Sequence, residues 1–174
     1  MQAEGFWRRP EGRFIATYLV LVVVAFTVVA LKPVDRSVVA PYTELVARAS
    51  GACLQLMGED VTIDGCNLRS PRFAVTIYNG CNGLITSLIF TAGVLAFPAS
   101  WRSRLVGVAL GLLAIQLINL VRILSLFYIG ALAPDLFSQA HVFVWQSIVI
   151  LSGVALWVVW ARWASSRRPP STDR

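Results

Sequence analysis

Four long apolar runs divide the chain and predict a membrane protein. They cover residues 14–31, 83–100, 105–129 and 142–160. A helix needs about 20 apolar residues to cross the roughly 30 Å hydrocarbon core of a bilayer, and these runs are of that order. The pattern therefore predicts an all-α membrane protein with four transmembrane helices, folded as a single integral membrane domain over residues 1–174.

Residues 32–80, between the first two runs, are more polar and predict a small segment outside the membrane. The stretch from Pro41 to Met57 is predicted to be a helix, which Gly58 would end. Its apolar positions recur at helical spacing and are Tyr42, Leu45, Val46, Ala49, Cys53 and Leu56. Such a helix would lie on the membrane surface or cover a site.

The remainder of this segment predicts short strands. Asp64-Gly65 is a turn signal between two short β-prone runs, and residues 73–78 alternate in the way a strand does. A β-hairpin and a further strand would then lead directly into Asn79-Gly80-Cys81. The alternative is a loop that only joins two spans.

Composition supports the membrane interpretation. Of all residues, 57% are hydrophobic and 14% are charged, whereas a soluble domain carries about 25% charged residues. The net charge of +6 would suggest nucleic acid as the partner of a soluble protein. Here the arginines flank apolar runs, which is typical of a topology signal, so we expect membrane lipid and no nucleic acid as a partner.

The placement of the arginines predicts the orientation of the chain. Those outside the long 32–80 connection are Arg8, Arg9, Arg13, Arg102, Arg104, Arg122, Arg162, Arg167, Arg168 and Arg174. All but Arg122 lie before the first run, between the second and third, or in the tail at 161–174. Positive charge concentrates on the cytoplasmic side, which predicts both termini inside and residues 32–80 outside. The first run is predicted to remain as an anchor, although Val28-Val29-Ala30 resembles a signal-peptide cleavage site.

Cys81 is the first candidate for chemistry. It lies in the polar stretch from Tyr78 to Gly83, at the predicted outer start of the second span. The dipole at a helix start favours a thiolate, which is the reactive form of cysteine. Cys53 and Cys66 are also predicted to lie outside, where they would form a disulfide or remain as buried thiols.

Arg122 and His141 are the other two candidates. Arg122 lies about 26 Å along the third span from its predicted cytoplasmic start, and it shares a polar face with Gln116 and Asn119. This pattern predicts an arginine that faces the bundle, as opposed to one that snorkels to the surface. His141, the one histidine, is predicted at the outer N-terminus of the fourth span, where the dipole favours a neutral imidazole. The alternative is an interfacial histidine without a role.

Together these residues indicate acyl transfer. A thiol, an imidazole and a guanidinium supply a nucleophile, a general base and a stabiliser of an oxyanion. One histidine and three scattered cysteines do not form a zinc or haem site. The chain also lacks a Gly-x-Ser-x-Gly elbow and a phosphate loop. We therefore expect no metal and no cofactor.

Residues 75–145 resemble the exosortase/archaeosortase family of membrane transpeptidases. The resemblance rests on Asn79-Gly80-Cys81-Asn82-Gly83, on Asn119-Leu120-Val121-Arg122-Ile123 and on His141. The small size and the N-terminal layout look most like the exosortase H subgroup. The resemblance implies a cysteine peptidase in the bacterial inner membrane, with its active site facing the periplasm.

The resemblance also implies roles for particular residues. Cys81 would be the nucleophile, Arg122 the oxyanion stabiliser and His141 the acid and base. Asn79, Asn82 and Asn119 are candidates for supporting the site or binding substrate, with Asn119 and Asn79 orienting Arg122 and the loop.

The implied partners are exported proteins with a C-terminal sorting signal. Such a signal consists of a short motif, of the Ile-Pro-Thr-Leu type for exosortase H, then a transmembrane helix and a basic cluster. Cleavage with water as the acceptor would make the protein an intramembrane protease. The non-enzymatic alternative is a small membrane scaffold or assembly factor in export. The sequence leaves the acceptor and the oligomeric state open.

Overall fold

A computed structural model describes residues 9–167, which form helices around a small antiparallel sheet. The helices are α1 (Pro10–Val29), α2 (Ala40–Leu56), α3 (Leu84–Ala96), α4 (Trp101–Leu132) and α5 (Pro134–Ser166). A helical turn at Lys32–Val34 and a π-helical stretch at Asp35–Val39 lead into α2. The strands are β1 (Thr62–Asp64), β2 (Asn67–Arg69) and β3 (Ala74–Thr76).

Three helices among residues 9–167, namely α1, α4 and α5, are long and apolar enough to cross a membrane. The mostly helical membrane architecture is therefore confirmed. The predicted four spans and their orientation remain predictions, and Arg8 and the tail from residue 168 onward lie outside the described residues.

The prediction that residues 83–100 form one span-length helix is wrong. Helix α3 has 13 residues, or about 20 Å, which is shorter than a bilayer core. It ends where Phe97 turns to an extended conformation, because a residue that precedes proline, here Pro98, disfavours helical angles. The next helix begins immediately, and Ser100 caps it by accepting a hydrogen bond from the Ser103 N–H.

The predicted start of the last span is also wrong. Helix α5 begins at Pro134, a residue suited to a first helical turn, and not at residue 142. It contains a π-helical stretch, Ala140–Trp145. His141 therefore lies inside a continuous helix, and the dipole argument for a histidine at a helix N-terminus does not apply.

The segment between α1 and α3 contains the predicted hairpin and the further strand. The sheet has the order β1-β2-β3, with Asp64 opposite Asn67 and Leu68 opposite Val75. The hairpin turn is Gly65-Cys66, one residue later than predicted, and Gly65 has the positive φ of +56° that glycine adopts readily.

Helix α2 packs against the protein mainly through small residues, and not through all of the apolar positions that indicated the helix. Its buried residues are Thr43, Ala47, Ser50, Gly51 and Leu54, whereas Leu45 and Leu56 are exposed. Small residues let helix backbones approach closely. Apolar periodicity therefore identified the helix but not its packed face.

Two apolar clusters hold the molecule together. The sheet-side core joins α2, the sheet and α4, and it consists of Ala47, Leu54, Val61, Leu68, Ile77, Ile123 and Phe127. The tryptophan-side core joins α3, α4 and α5, and it consists of Phe90, Val94, Ile115, Trp160, Ala161 and Ala164. The candidate site lies beside the sheet-side core, which Cys81 contacts.

Candidate active site

Cys81 lies in a tight turn between β3 and α3. Its backbone N–H donates a 2.8 Å hydrogen bond to the Tyr78 carbonyl, closing a 3₁₀ turn. Helix α3 begins three residues later, at Leu84, so Cys81 lies just before the start of the helix. Gly83 allows this arrangement, since its φ is +76° and a Cβ there would lie 3.3 Å from Cγ of Asn119.

His141 contacts the cysteine directly. Its Nε2 atom lies 3.0 Å from Cys81 Sγ. Its ring is nearly parallel to that of Phe137, one helical turn earlier, with 5.9 Å between centroids and an interplanar angle of 11°. This stacking restricts the orientation in which the imidazole faces the sulfur.

Arg122 approaches the same sulfur from α4. Its Nη2 atom lies 4.0 Å from Cys81 Sγ. The side chain is 3% exposed, its Nε has no hydrogen-bond partner, and no carboxylate within residues 9–167 forms an ion pair with it. An unpaired buried charge is costly. The arrangement is suited to an anionic group that arrives during a reaction.

Asn82 ties the turn to the rest of the fold. Its side chain is fully buried, its Nδ2 donates to Thr43 Oγ1 at 2.8 Å, and its Oδ1 accepts from the Leu84 N–H at 3.0 Å. Asn79 is exposed, and its Oδ1 lies 3.5 Å from Asn82 Nδ2. The turn is therefore anchored to α2 and to the start of α3.

Asn119 forms no hydrogen bond with Arg122, so its predicted role in orienting that arginine would act through packing. Its side chain is 1% exposed, and neither amide atom has a partner among the described residues. It packs against Gly83 instead. Its place is under the turn that carries Cys81.

Two contributors to the site, Thr43 and Phe137, were missed by the sequence analysis. Thr43 contacts Asn82 across 39 positions, and no local pattern signals such a contact. Phe137 was detectable, since Pro134-Asp135 is a helix-start signal. A helix beginning there places position 137 one turn before His141.

A cavity of about 320 Å³ opens beside the three side chains. Ligand sites commonly start at about 300 Å³. Its walls are residues 73–78 on one side and α4 and α5 on the other, and Cys81, Arg122 and His141 all line it. The sulfur is therefore accessible to a bound molecule.

The other two cysteines are not paired. Cys53 and Cys66 are both free, as is Cys81, so the structure lacks the disulfide that the sequence left open. Burial and, to a smaller extent, the negative charge of Glu44 raise the pKa of the Cys66 thiol. Its environment disfavours the thiolate.

A comparison with known protein families gives a match. Residues 11–161 match the family described as Transmembrane exosortase (Exosortase_EpsH). The chain belongs to the transmembrane exosortase family. This confirms the predicted membership and extends it well beyond residues 75–145. A comparison with curated proteins and one with solved structures gave no match.

Membership in this family makes the chain a membrane protein of a transpeptidase family. The individual roles of Cys81, Arg122 and His141 remain predictions, as do those of Asn79, Asn82 and Asn119.

Proposed function

We propose that this exosortase is a cysteine transpeptidase that removes the C-terminal sorting signal of exported proteins and transfers them to an acceptor. The observation that carries the proposal is the 3.0 Å contact between Cys81 Sγ and His141 Nε2. A nucleophile within hydrogen-bond reach of a base is the arrangement that covalent catalysis requires. The opening of the cavity onto both atoms supports it further.

The first half of the reaction forms an acyl-enzyme. His141 takes the proton of the Cys81 thiol, and the sulfur attacks the scissile carbonyl carbon. The carbonyl π electrons move to oxygen and return as the peptide C–N bond breaks. The imidazolium of His141 gives its proton to the departing amine, which leaves with the membrane-anchored tail, and a thioester remains on Cys81.

Arg122 stabilises the oxyanion of this step. The guanidinium is fixed 4.0 Å from the sulfur before substrate arrives, so it does not need to reorganise as charge develops. One oxyanion donor typically contributes about 2.7–4 kcal/mol to barrier lowering. An acceptor nucleophile then attacks the thioester, with His141 as base, and releases the exported domain.

The substrates we propose are exported proteins whose signal is a short motif, a transmembrane helix and a basic cluster. The tail helix would lie beside the bundle in the bacterial inner membrane, and the motif would reach the periplasmic side. The exposed apolar residues of α5, among them Val142, Phe143, Ile150 and Leu151, provide a surface suited to a lipid or helix neighbour.

The test is tail removal from a reporter in membranes. The reporter carries an Ile-Pro-Thr-Leu-type motif, a transmembrane helix, a basic cluster and a C-terminal tag, and blotting follows loss of the tag. Cys81→Ala, Cys81→Ser and His141→Ala are expected to block processing. Cys53→Ala and Cys66→Ala are matched cysteine controls that are expected to process normally.

Full processing by Cys81→Ala at normal expression would contradict the mechanism and would favour a scaffold role. The mass of the product separates the two enzymatic outcomes. A conjugated C-terminus indicates transfer to an acceptor, whereas a free carboxylate indicates hydrolysis.

A further inference from the structure

Strand β3 forms the outer edge of the sheet, next to the candidate active site. Within residues 9–167 it pairs with β2 alone. A strand with one unpaired edge offers free N–H and C=O groups to another extended chain. This edge continues through Tyr78 into the turn that carries Cys81.

The pairing with β2 shows which groups are free. The Ser70 N–H donates to the Phe73 carbonyl, and the Ile77 N–H donates to the Cys66 carbonyl, both at 2.9 Å. Hydrogen-bonded residues alternate along an antiparallel strand. The N–H and C=O groups of Ala74 and Thr76 therefore point away from β2.

The free edge faces the cavity. Every residue from 73 to 78 lines it. Because successive side chains of a strand point to opposite faces, a cavity that touches six consecutive residues runs along the strand's edge. Arg122 and His141 line the same cavity, as does Cys81.

We propose that the extended segment of the substrate beside its scissile bond binds as a fourth strand, paired with the backbone of Ala74 and Thr76. This proposal rests on the proposed function and specifies how the substrate is held. Alternating N–H and C=O groups along one edge match the backbone of another extended peptide, the mode known as β-strand addition. The edge leads to Cys81 within five residues of Thr76, so a strand bound there presents its own carbonyls to the sulfur.

This mode assigns affinity to backbone groups and specificity to side-chain pockets. Ala74 is exposed and small, which leaves room for a neighbouring strand. Cross-strand Cα atoms of a hydrogen-bonded pair lie about 5.5 Å apart, within the span that a disulfide bridges. Cysteine cross-linking can therefore detect the added strand.

The sheet provides a matched pair of positions for this experiment. Thr62, Arg69 and Ala74 lie opposite one another in a row across the three strands, so Thr62 and Ala74 occupy the two outer edges. Ala74→Cys and Thr62→Cys are each made in a background where Cys53, Cys66 and Cys81 are alanine. The probes are reporters with one cysteine at successive positions of the motif segment.

We expect oxidation to link Ala74→Cys chiefly to the one reporter position opposite it in the added strand, and not to the two adjacent positions, whose side chains point to the other face. Thr62→Cys should give no such links. Equal linkage at consecutive positions, or no linkage in membranes where the unmodified enzyme processes the reporter, would overturn the strand pairing alone. Failure of the unmodified enzyme to process the reporter would overturn the proposed function and this proposal with it.

A proline at position 74 tests the hydrogen bond itself. Ala74→Pro removes the outward N–H and leaves the bonds to β2, since proline is tolerated on strand edges. Loss of one hydrogen bond predicts about a 2- to 12-fold drop in processing efficiency with an unchanged unfolding temperature. Wild-type processing by the folded variant would contradict the proposal, and if the variant does not fold, the cross-linking pattern decides.

Discussion

Helix α4 carries Arg104 near its start and Arg122 in its second half, and the surroundings of these two arginines differ. Near the start, Arg104 donates from Nη2 to the Phe97 carbonyl at 3.1 Å, bracing the bend between α3 and α4. About 27 Å farther along the helix, Arg122 finds no oxygen acceptor among the described residues and approaches only the sulfur of Cys81. Arg104 therefore stabilises the fold, whereas the charge of Arg122 is available to a bound group.

The packing around these two arginines shows the same contrast. On the tryptophan side, Trp160 covers Gly107, and its Nε1 donates to the Ser103 carbonyl at 3.0 Å. On the sheet side, a cavity separates β3 from α4, and the buried amide of Asn119 has no partner among the described residues.

Both sides of α4 hold buried N–H groups without a partner among the described residues, at Arg104 Nε and Trp157 Nε1 on one side and at Arg122 Nε on the other. Only on the sheet side does such a group lie beside the cavity that Cys81 and His141 line. Such local inconsistency is expected where a protein performs chemistry.

Among these variants, loss of the Arg122 charge should have the largest effect on the rate of tail removal. Arg122→Ala is expected to slow tail removal by about 100- to 1000-fold, the typical cost of losing one oxyanion donor. Arg122→Lys should retain part of the activity, since it keeps a charge but loses the planar fork. The measurement is the initial rate of reporter processing.

Arg104→Ala is the matched control for this prediction. It should lower the amount of folded protein without changing the rate per folded molecule. Equal losses of rate in the Arg104 and Arg122 variants would break the contrast between the two arginines.

The anchor of the Cys81 turn should show a smaller effect. Asn82→Ala leaves the Thr43 hydroxyl and the Leu84 N–H without their partner, so we expect a loss of about 1–3 kcal/mol in the free energy of unfolding. Thermal unfolding in detergent measures it. Asn79→Ala, at an exposed position of the same turn, should change stability by less than about 0.5 kcal/mol, and an equal loss in both variants would contradict the anchoring role.

Tight packing on the tryptophan side predicts sensitivity to a single methyl group. In Gly107→Ala the added Cβ would overlap the Trp160 ring. We expect this overpacking to lower the free energy of unfolding by about 1–3 kcal/mol. Gly80→Ala is the comparison, because nothing lies within 4 Å of a Cβ there. If both variants have the same unfolding temperature, the tryptophan-side core is looser than described.

The smallest effect should come from one hydrogen bond in that core. Trp160→Phe removes the donor to the Ser103 carbonyl, so we expect a loss of about 0.5–1.5 kcal/mol in the free energy of unfolding. Processing per folded molecule should stay at the wild-type rate. A selective loss of processing would indicate that the two sides are coupled.

The sequence predicted the local features of the site better than the contacts that hold the site in place. Arg122 was placed facing the bundle because Gln116 and Asn119 share its face, and it is indeed buried. The hairpin and the strand before Cys81 followed from turn chemistry and alternation. These are short-range patterns, which a sequence carries directly.

Helix boundaries, and contacts between residues far apart in the sequence, were harder to predict. The second span was extended to residue 100 because Cys81 and Trp101 are 20 residues apart, about the length of one bilayer core, although the helix ends before Pro98. His141 was placed at a helix start because the apolar run begins at Val142, although the helix itself begins at Pro134. The bond from Asn82 to Thr43 depends on how α2 docks, which no local pattern encodes.

The central claim is that Cys81 becomes covalently acylated by substrate. The direct measurement is mass spectrometry of the purified enzyme after acid quenching during reporter processing, with peptide mapping of its three cysteines. The proposed mechanism predicts a hydroxylamine-sensitive thioester on Cys81 that carries the reporter's new C-terminus, and its absence in His141→Ala. Tail removal at an undiminished rate with the adduct on Cys53 or Cys66, or with no adduct under conditions that trap thioesters, would contradict it.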